Sequence, residues 1–122
     1  MITVYQIQLT NEQIDIINQH GHDAVAAQRA KLNVMFRADN FRTSDLQYYT
    51  ETMQVDTDNL EEAFELTNLW NQPERVARIG AQQSSTSVGD IFQKGDRFYM
   101  VDGFGFASLL LFNDEVETLQ AV

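Results

Sequence analysis

From Ile91 to Phe106 the chain reads IFQKGDRFYMVDGFGF, short β-forming runs broken twice by glycine-bearing turns. Turns this tight join only antiparallel neighbours, because a parallel connection needs a crossover of a dozen or more residues. Ile91-Phe92 and Phe98–Val101 therefore predict a hairpin around the five-residue loop Gln93–Arg97. Asp102-Gly103-Phe104-Gly105 predicts a second turn, leading into a strand from Phe106 to Phe112.

The remainder mixes both periodicities. Thr3 to Leu9 alternates β-formers with polar residues and reads as an opening strand. Thr10-Asn11-Glu12-Gln13 has capping-box spacing, and the helix it starts would turn Ile14, Ile16 and Ile17 inward and stop at His20-Gly21. Asp23 is placed to cap a second helix carrying Val25, Leu32 and Phe36. Leu46 to Val55 reads as a strand. Asp56 or Asp58 then caps a helix whose Leu60, Ala63, Phe64 and Trp70 recur at three- and four-residue steps. Asn71-Gln72-Pro73 ends that helix, Arg75 to Ile79 forms a short strand, and the acidic end from Asn113 either frays or forms a final helical turn. Strands joined by tight turns, with helices elsewhere, give an α+β fold: a small antiparallel sheet with two to three packed helices.

At 122 residues, with one proline and no linker-like tract, the chain is expected to form a single domain over 1–122. A domain of this size builds a core without metal or disulfide, and no cysteine is present to supply either. The opening MITVYQIQL lacks the basic and apolar regions of a secretory leader. The nearly apolar run Phe104 to Phe112 is far short of the roughly 20 residues that span a bilayer. A cytoplasmic protein is expected.

Charge narrows the partners. The formal net charge is −10, and from Thr43 to Glu74 eight acids (Asp45, Glu51, Asp56, Asp58, Glu61, Glu62, Glu65, Glu74) run without a base. Arg29, Lys31, Arg37 and Arg42 cluster before that block. A chain so charged is repelled by nucleic acid and by anionic membrane. The block is either a solvated face or a surface for a basic partner.

Ser85-Thr86-Ser87-Val88-Gly89-Asp90-Ile91, followed by Tyr99-Met100-Val101-Asp102 and Gly105-Phe106, resembles the end of YodL-like domains. These are small modules of bacteria, plasmids and phages, often found beside antirestriction or polyvalent accessory proteins. Leu60-Glu61 with Asn68 resembles the helix that precedes this motif, so the resemblance runs from about Asp58 to Ser108, while His22 to Phe41 has no counterpart. The resemblance implies a mobile-element origin, such as a phage protein acting inside a host, and brings no catalytic chemistry with it. The motif also has a physical reading: Ser87 capping a helical turn closed by Asp90, Gly89 allowing close backbone approach, and Gly103 and Gly105 making a turn. Fold motif and binding site both stay open.

Familiar catalytic patterns are missing. His20-Gly21-His22 offers two ligands and no third at metal-site spacing. Ser84, Ser85 and Ser87 lie in no G-x-S-x-G context, Lys94-Gly95-Asp96 is no phosphate loop, and pairs such as Asp56/Asp58 and Asp114/Glu115 are expected in any chain this acidic. No catalytic, cofactor-binding or metal-binding residue is assigned, and the chain is not expected to be an enzyme.

The expected function is a small acidic accessory protein that binds a host protein through an acidic surface, as a DNA mimic or other anti-defence factor. Asp58, Glu61, Glu62, Glu65 and an exposed Phe104 are the candidate contacts. One alternative is a small-molecule or nucleotide-binding module built from Arg29, Arg37, Arg42, Arg75 and Arg78, and another is a minor virion protein. The first expectation is simple to check. A chelator should leave the melting temperature unchanged, and a drop of several degrees would show that a metal holds the fold.

Overall fold

The computed structural model of the protein describes residues 1–79 and 85–110. Six strands form one antiparallel sheet: β1 (Ile2–Ile7), β2 (Tyr49–Val55), β3 (Val76–Arg78), β4 (Ile91–Lys94), β5 (Arg97–Asp102) and β6 (Gly105–Leu109), in the order β3-β2-β1-β4-β5-β6. Three α-helices accompany it: α1 (Asn11–His20), α2 (Ala26–Phe36) and α3 (Leu60–Leu69). This is the α+β architecture expected from the turns. The end of the expected strand at Leu111 and Phe112, the acidic end from Asn113 with Asp114/Glu115, and Ser84 lie outside the described residues.

The strand period of two sorts the sheet's side chains into two cores. Tyr5, Ile7, Tyr49, Ile91, Phe98 and Met100 pack against α2, with half-buried Ile17 of α1 beside them. Ile2, Val4, Met53, Val55, Phe92 and Val101 pack against Ala63 and Leu66 of α3. A sheet covered on both faces explains why β1 is buried at five of its six residues rather than alternately. A bulge between the Val4–Met53 and Tyr5–Glu51 pairs leaves Thr52 as the extra residue of β2.

Local signals set several boundaries as read. Thr10 and Gln13 form the reciprocal capping box of α1, and Gly21 closes that helix at φ +91°. Other expectations are corrected. Ile14 and Ile16 are exposed, leaving Ile17 as the contact of α1 with the core. Asp23 lies in a short 3₁₀ turn and does not cap α2, whose N-cap Val25 makes no side-chain bond. The buried stripe of α2 is Ala27, Ala30 and Val34, so Leu32 and Phe36 face outward. Residue 36 lies about 200° around the helix from residue 34, which excludes Phe36 from that stripe.

Thr43–Tyr48 is a 3₁₀ turn that shortens the expected strand to Tyr49–Val55, and Pro73–Arg75 is another that shortens the Arg75–Ile79 strand. Asn59, neither Asp56 nor Asp58, caps α3 by accepting the Glu62 N–H. The first hairpin is tighter than expected, with Lys94 paired to Arg97 and Gly95 at φ +62° in a two-residue loop.

The segment from Ser85 to Asp90 is pinned by all the elements around it. Its turn is not a helical turn capped by Ser87. The Asp90 N–H donates to the Ser87 carbonyl at 3.1 Å, and the Asp90 carboxylate accepts the Ser87 N–H at 2.9 Å. Gly89, at φ +95°, presses on α2 so closely that an added Cβ would meet Val34 Cγ2 at 2.5 Å. Its carbonyl accepts the Tyr49 hydroxyl, and its N–H donates to Val101 O at 2.9 Å. Of the two glycines in the second hairpin turn, Gly105 alone has a positive φ, +143°, and open space surrounds it.

This contrast gives an ordering. Gly89→Ala should cost roughly 2–4 kcal/mol, since φ strain and overpacking add, whereas Gly105→Val should cost strain alone, about 1–3 kcal/mol. His22→Ala, at an exposed position, should stay within about 0.5 kcal/mol. In a double-mutant cycle Val34→Ala should recover part of the Gly89→Ala loss, and strictly additive denaturation midpoints would contradict the contact.

Candidate functional site

Of the sequence-derived contacts, Glu61, Glu62 and Glu65 lie on α3, Asp58 just before its cap Asn59, and Phe104 on the turn between β5 and β6. Asp58 is paired with the Met1 ammonium, whose hydrogen bond holds its carboxyl below the usual carboxylate range. Glu62 takes a bond from Thr57 and a 2.7 Å contact from Arg75, and the Thr57 bond and then Arg75 hold its pKa low. Arg75 follows the acidic block in sequence but folds back onto it, donating also to Asp56 O at 2.7 Å. Asp58 and Glu62 are therefore satisfied within the chain. Among the described residues, Glu61 and Glu65 have no base within ion-pair distance.

Glu61, Phe64 and Glu65 form one wall of a groove of about 460 Å³, and Asp102, Gly103 and Gly105 of the second hairpin turn form the other. Phe104 occupies the crest of that turn and is wholly exposed, at 105% of its reference area. The Asp102 side chain fixes the crest by accepting the Phe104 N–H at 2.8 Å. Beyond the crest lies a second groove of about 610 Å³, lined by Met35, Phe36, Phe41, Phe104 and Leu109. Val88, Asp102 and Gly103 line both grooves.

The structure thus sets Glu61 and Glu65 across one groove from the turn that carries Phe104, and pairs Asp58 and Glu62 with Met1 and Arg75 at the surface. It adds Phe36, 82% exposed, and Met35, which the sequence reading missed. The signal for them was available: Ala27, Ala30 and Val34 form a cleaner helical stripe than Val25, Leu32 and Phe36.

His20 and His22 are exposed, His22 Nδ1 lies 3.2 Å from Gln28 Nε2, and no cluster of three metal-ligating side chains occurs among the described residues. Burial and then the Glu51 charge push the Tyr5 hydroxyl up to about 12, and it donates to Gln93 at 2.7 Å, so it stays protonated. Burial, then the charges of Asp90 and Asp45, raise Tyr49 further. The arginines do not share one cleft: Arg37 is held by Asp39, Arg75 by Glu62, Arg78 lies 4.8 Å over the Trp70 ring, and Arg42 lines a separate groove of about 680 Å³ with Asp39 and Asp45.

Among the described residues Asp90 is the most perturbed carboxyl, 8% exposed and raised by burial to about 6 against the opposing pull of its hydrogen bonds. One oxygen accepts both Gln6 Nε2 at 3.0 Å and the Ser87 N–H at 2.9 Å, and the residue lines none of the grooves described here. Gln6 in turn accepts the Thr52 hydroxyl at 2.9 Å and donates to Ser85 O at 3.2 Å. Thr86 completes the docking of this segment, lying 2.7 Å from the Thr67 hydroxyl and accepting Asn68 Nδ2 at 2.8 Å. Every polar residue of this network joins one element to another, which is a structural use. Comparison of the chain with family models, with curated proteins and with solved structures found no match.

The network has a pH signature. Because the folded Asp90 binds its proton more tightly than the unfolded chain, its contribution to stability should rise as pH falls from about 6 towards 3.8. Asp90→Asn keeps an acceptor and should remove that dependence. Asp90→Ala strands the donors of Gln6 and Ser87 and should cost about 1–3 kcal/mol for each group left unsatisfied. A stability difference between the native chain and Asp90→Asn that stayed constant across this window would contradict the burial of a titrating carboxyl.

Proposed function

We propose that the chain is an acidic binding protein without catalytic activity, and that its partner is a protein with a basic surface. The observation that carries this is the arrangement at the Asp102–Gly105 turn. A fully exposed phenylalanine stands on a side-chain-braced crest beside Glu61 and Glu65, two carboxylates with no paired base among the described residues. An exposed aromatic ring on a rigid support is the usual form of an interface anchor, and unpaired acids at its rim steer a basic partner.

The resemblance to YodL-like domains makes a mobile-element protein acting on a host protein in the host cytoplasm our preferred setting. Plain DNA mimicry is less well supported than docking that is both acidic and apolar. Asp58 and Glu62 are each ion-paired at the surface, with Met1 and Arg75, which leaves fewer free carboxylates to stand in for a row of phosphates. A nucleotide-binding module has less support, because Arg37 is engaged by Asp39 and the groove that Arg42 lines also carries the acids Asp39 and Asp45. No helix among the described residues is long and apolar enough to cross a membrane.

The test is retention of proteins from a bacterial host lysate by the immobilised full chain. A partner should be held by the native chain and by His22→Ala, and lost with Phe104→Ala. With that partner purified, Glu61→Gln/Glu65→Gln should slow association and flatten its dependence on salt, while dissociation changes little. Retention of the same proteins by native chain and Phe104→Ala would place binding elsewhere on the molecule.

A further inference from the structure

The groove on the far side of the Phe104 crest differs in character from the one beside α3. Its lining includes Met35, Phe36, Phe41, Met100, Phe104 and Leu109, with Phe36 and Phe104 largely in solvent. Its volume, about 610 Å³, falls within the roughly 300–1,000 Å³ of ligand-holding clefts. Methionine and phenylalanine together make a surface that adapts to varied apolar side chains. The base in its lining, Arg37, is engaged by both oxygens of Asp39 at 2.9 and 3.2 Å, so the groove offers an anion nothing free. The charge left over is negative: Asp102 between the grooves, then Glu61 and Glu65 across the crest.

We propose that this groove receives the apolar side chains of a short amphipathic segment of the partner, one bearing lysine or arginine. The segment crosses the Asp102–Gly105 turn, so that its bases reach Glu61 and Glu65. This rests on the protein-binding reading above and narrows the partner from a basic surface to a segment that is basic on one side and apolar on the other. Charge complementarity selects that occupant over a second copy of the chain, since two copies meeting at this crest would bring Asp102, Glu61 and Glu65 near their own equivalents. The surface is continuous because Val88 and Gly103 lie in both grooves. An apolar strip flanked by unpaired charge is the form in which grooves take up amphipathic helices.

The experiment uses two probes on the isotope-labelled full chain: a short amphipathic leucine–lysine peptide and an oligolysine of equal charge. The leucine–lysine peptide should bind about tenfold more tightly, shifting the resonances of Met35, Phe36, Phe104 and Leu109 as well as those of Glu61 and Glu65. Phe36→Ala, at an exposed position that leaves the denaturation midpoint unchanged, should remove about that tenfold advantage and leave oligolysine binding as it was. Equal affinities with shifts confined to Glu61 and Glu65 would overturn the groove assignment while the protein-binding reading stood. Leucine–lysine binding that ignored Phe36→Ala would do the same. Concentration-dependent shifts at Phe36 and Phe104 without any peptide would overturn it in favour of a second copy. Failure of both peptides to bind would overturn the groove assignment and the protein-binding reading together.

Discussion

The Asp90 carboxylate is buried in a protein whose net charge is already −10, and its position there depends on donors drawn from elsewhere in the chain. Burying a carboxylate is costly unless hydrogen bonds replace water. Here Gln6 comes from near the end of β1, Ser87 from the turn itself, and Thr52, at the bulge of β2, orients Gln6 by donating to its other end. A bulge is what lets Thr52 reach this point, because the extra residue of β2 falls between the Val4 and Tyr5 pairings. The bulge, the glutamine and the aspartate form one device. Its result is that the Ser85–Asp90 segment has a single seat on the sheet.

That seat fixes the helices as well. Gly89 leaves no room between the segment and Val34, so α2 must lie where its small residues Ala27 and Ala30 meet the sheet. Thr86 joins Thr67 and Asn68, which sets the end of α3 on the opposite face. Thr67 and Asn68 also bond to carbonyls of their own helix, so the bridge rests on side chains already held in place. A sheet covered on both sides by helices sharing one strap has little freedom to shift one layer against another, because close-packed interiors transmit displacement.

How much of this the sequence disclosed depended on whether the signal was local. The Thr10–Gln13 box, the Gly21 stop and the glycine turns of the hairpins are decided within a few residues, and they were legible. Features decided by tertiary contact were not. Leu32 and Phe36 are the larger apolar residues of α2, yet the face turned to the core carries the small Ala27 and Ala30, with Val34 against Gly89. Arg75 was visible as the first base after the acidic block, but its return to Glu62 needs the Pro73–Arg75 turn. The motif from Ser85 to Asp90 could be read as important, although the sequence left open whether for folding or for binding. Its polar side chains Thr86 and Asp90 are consumed inside the protein, and Val88 is left towards the grooves.

That division bears on what the surface can do. Binding loses affinity when loops and side chains must be ordered at the moment of contact. The Phe104 crest hangs between β5 and β6, and β5 is tied to the Ser85–Asp90 segment through the Val101–Gly89 and Val101–Asp90 backbone bonds. The floor at Val88 belongs to the segment itself, and the walls belong to α2 and α3, which the same segment fixes. Ridge, floor and walls are therefore referred to one buried network, and little of the surface has to be organised on contact. Stability and groove geometry are coupled here by construction: a change that loosens Asp90 or Gly89 moves both grooves although it touches neither charge nor aromatic at the surface.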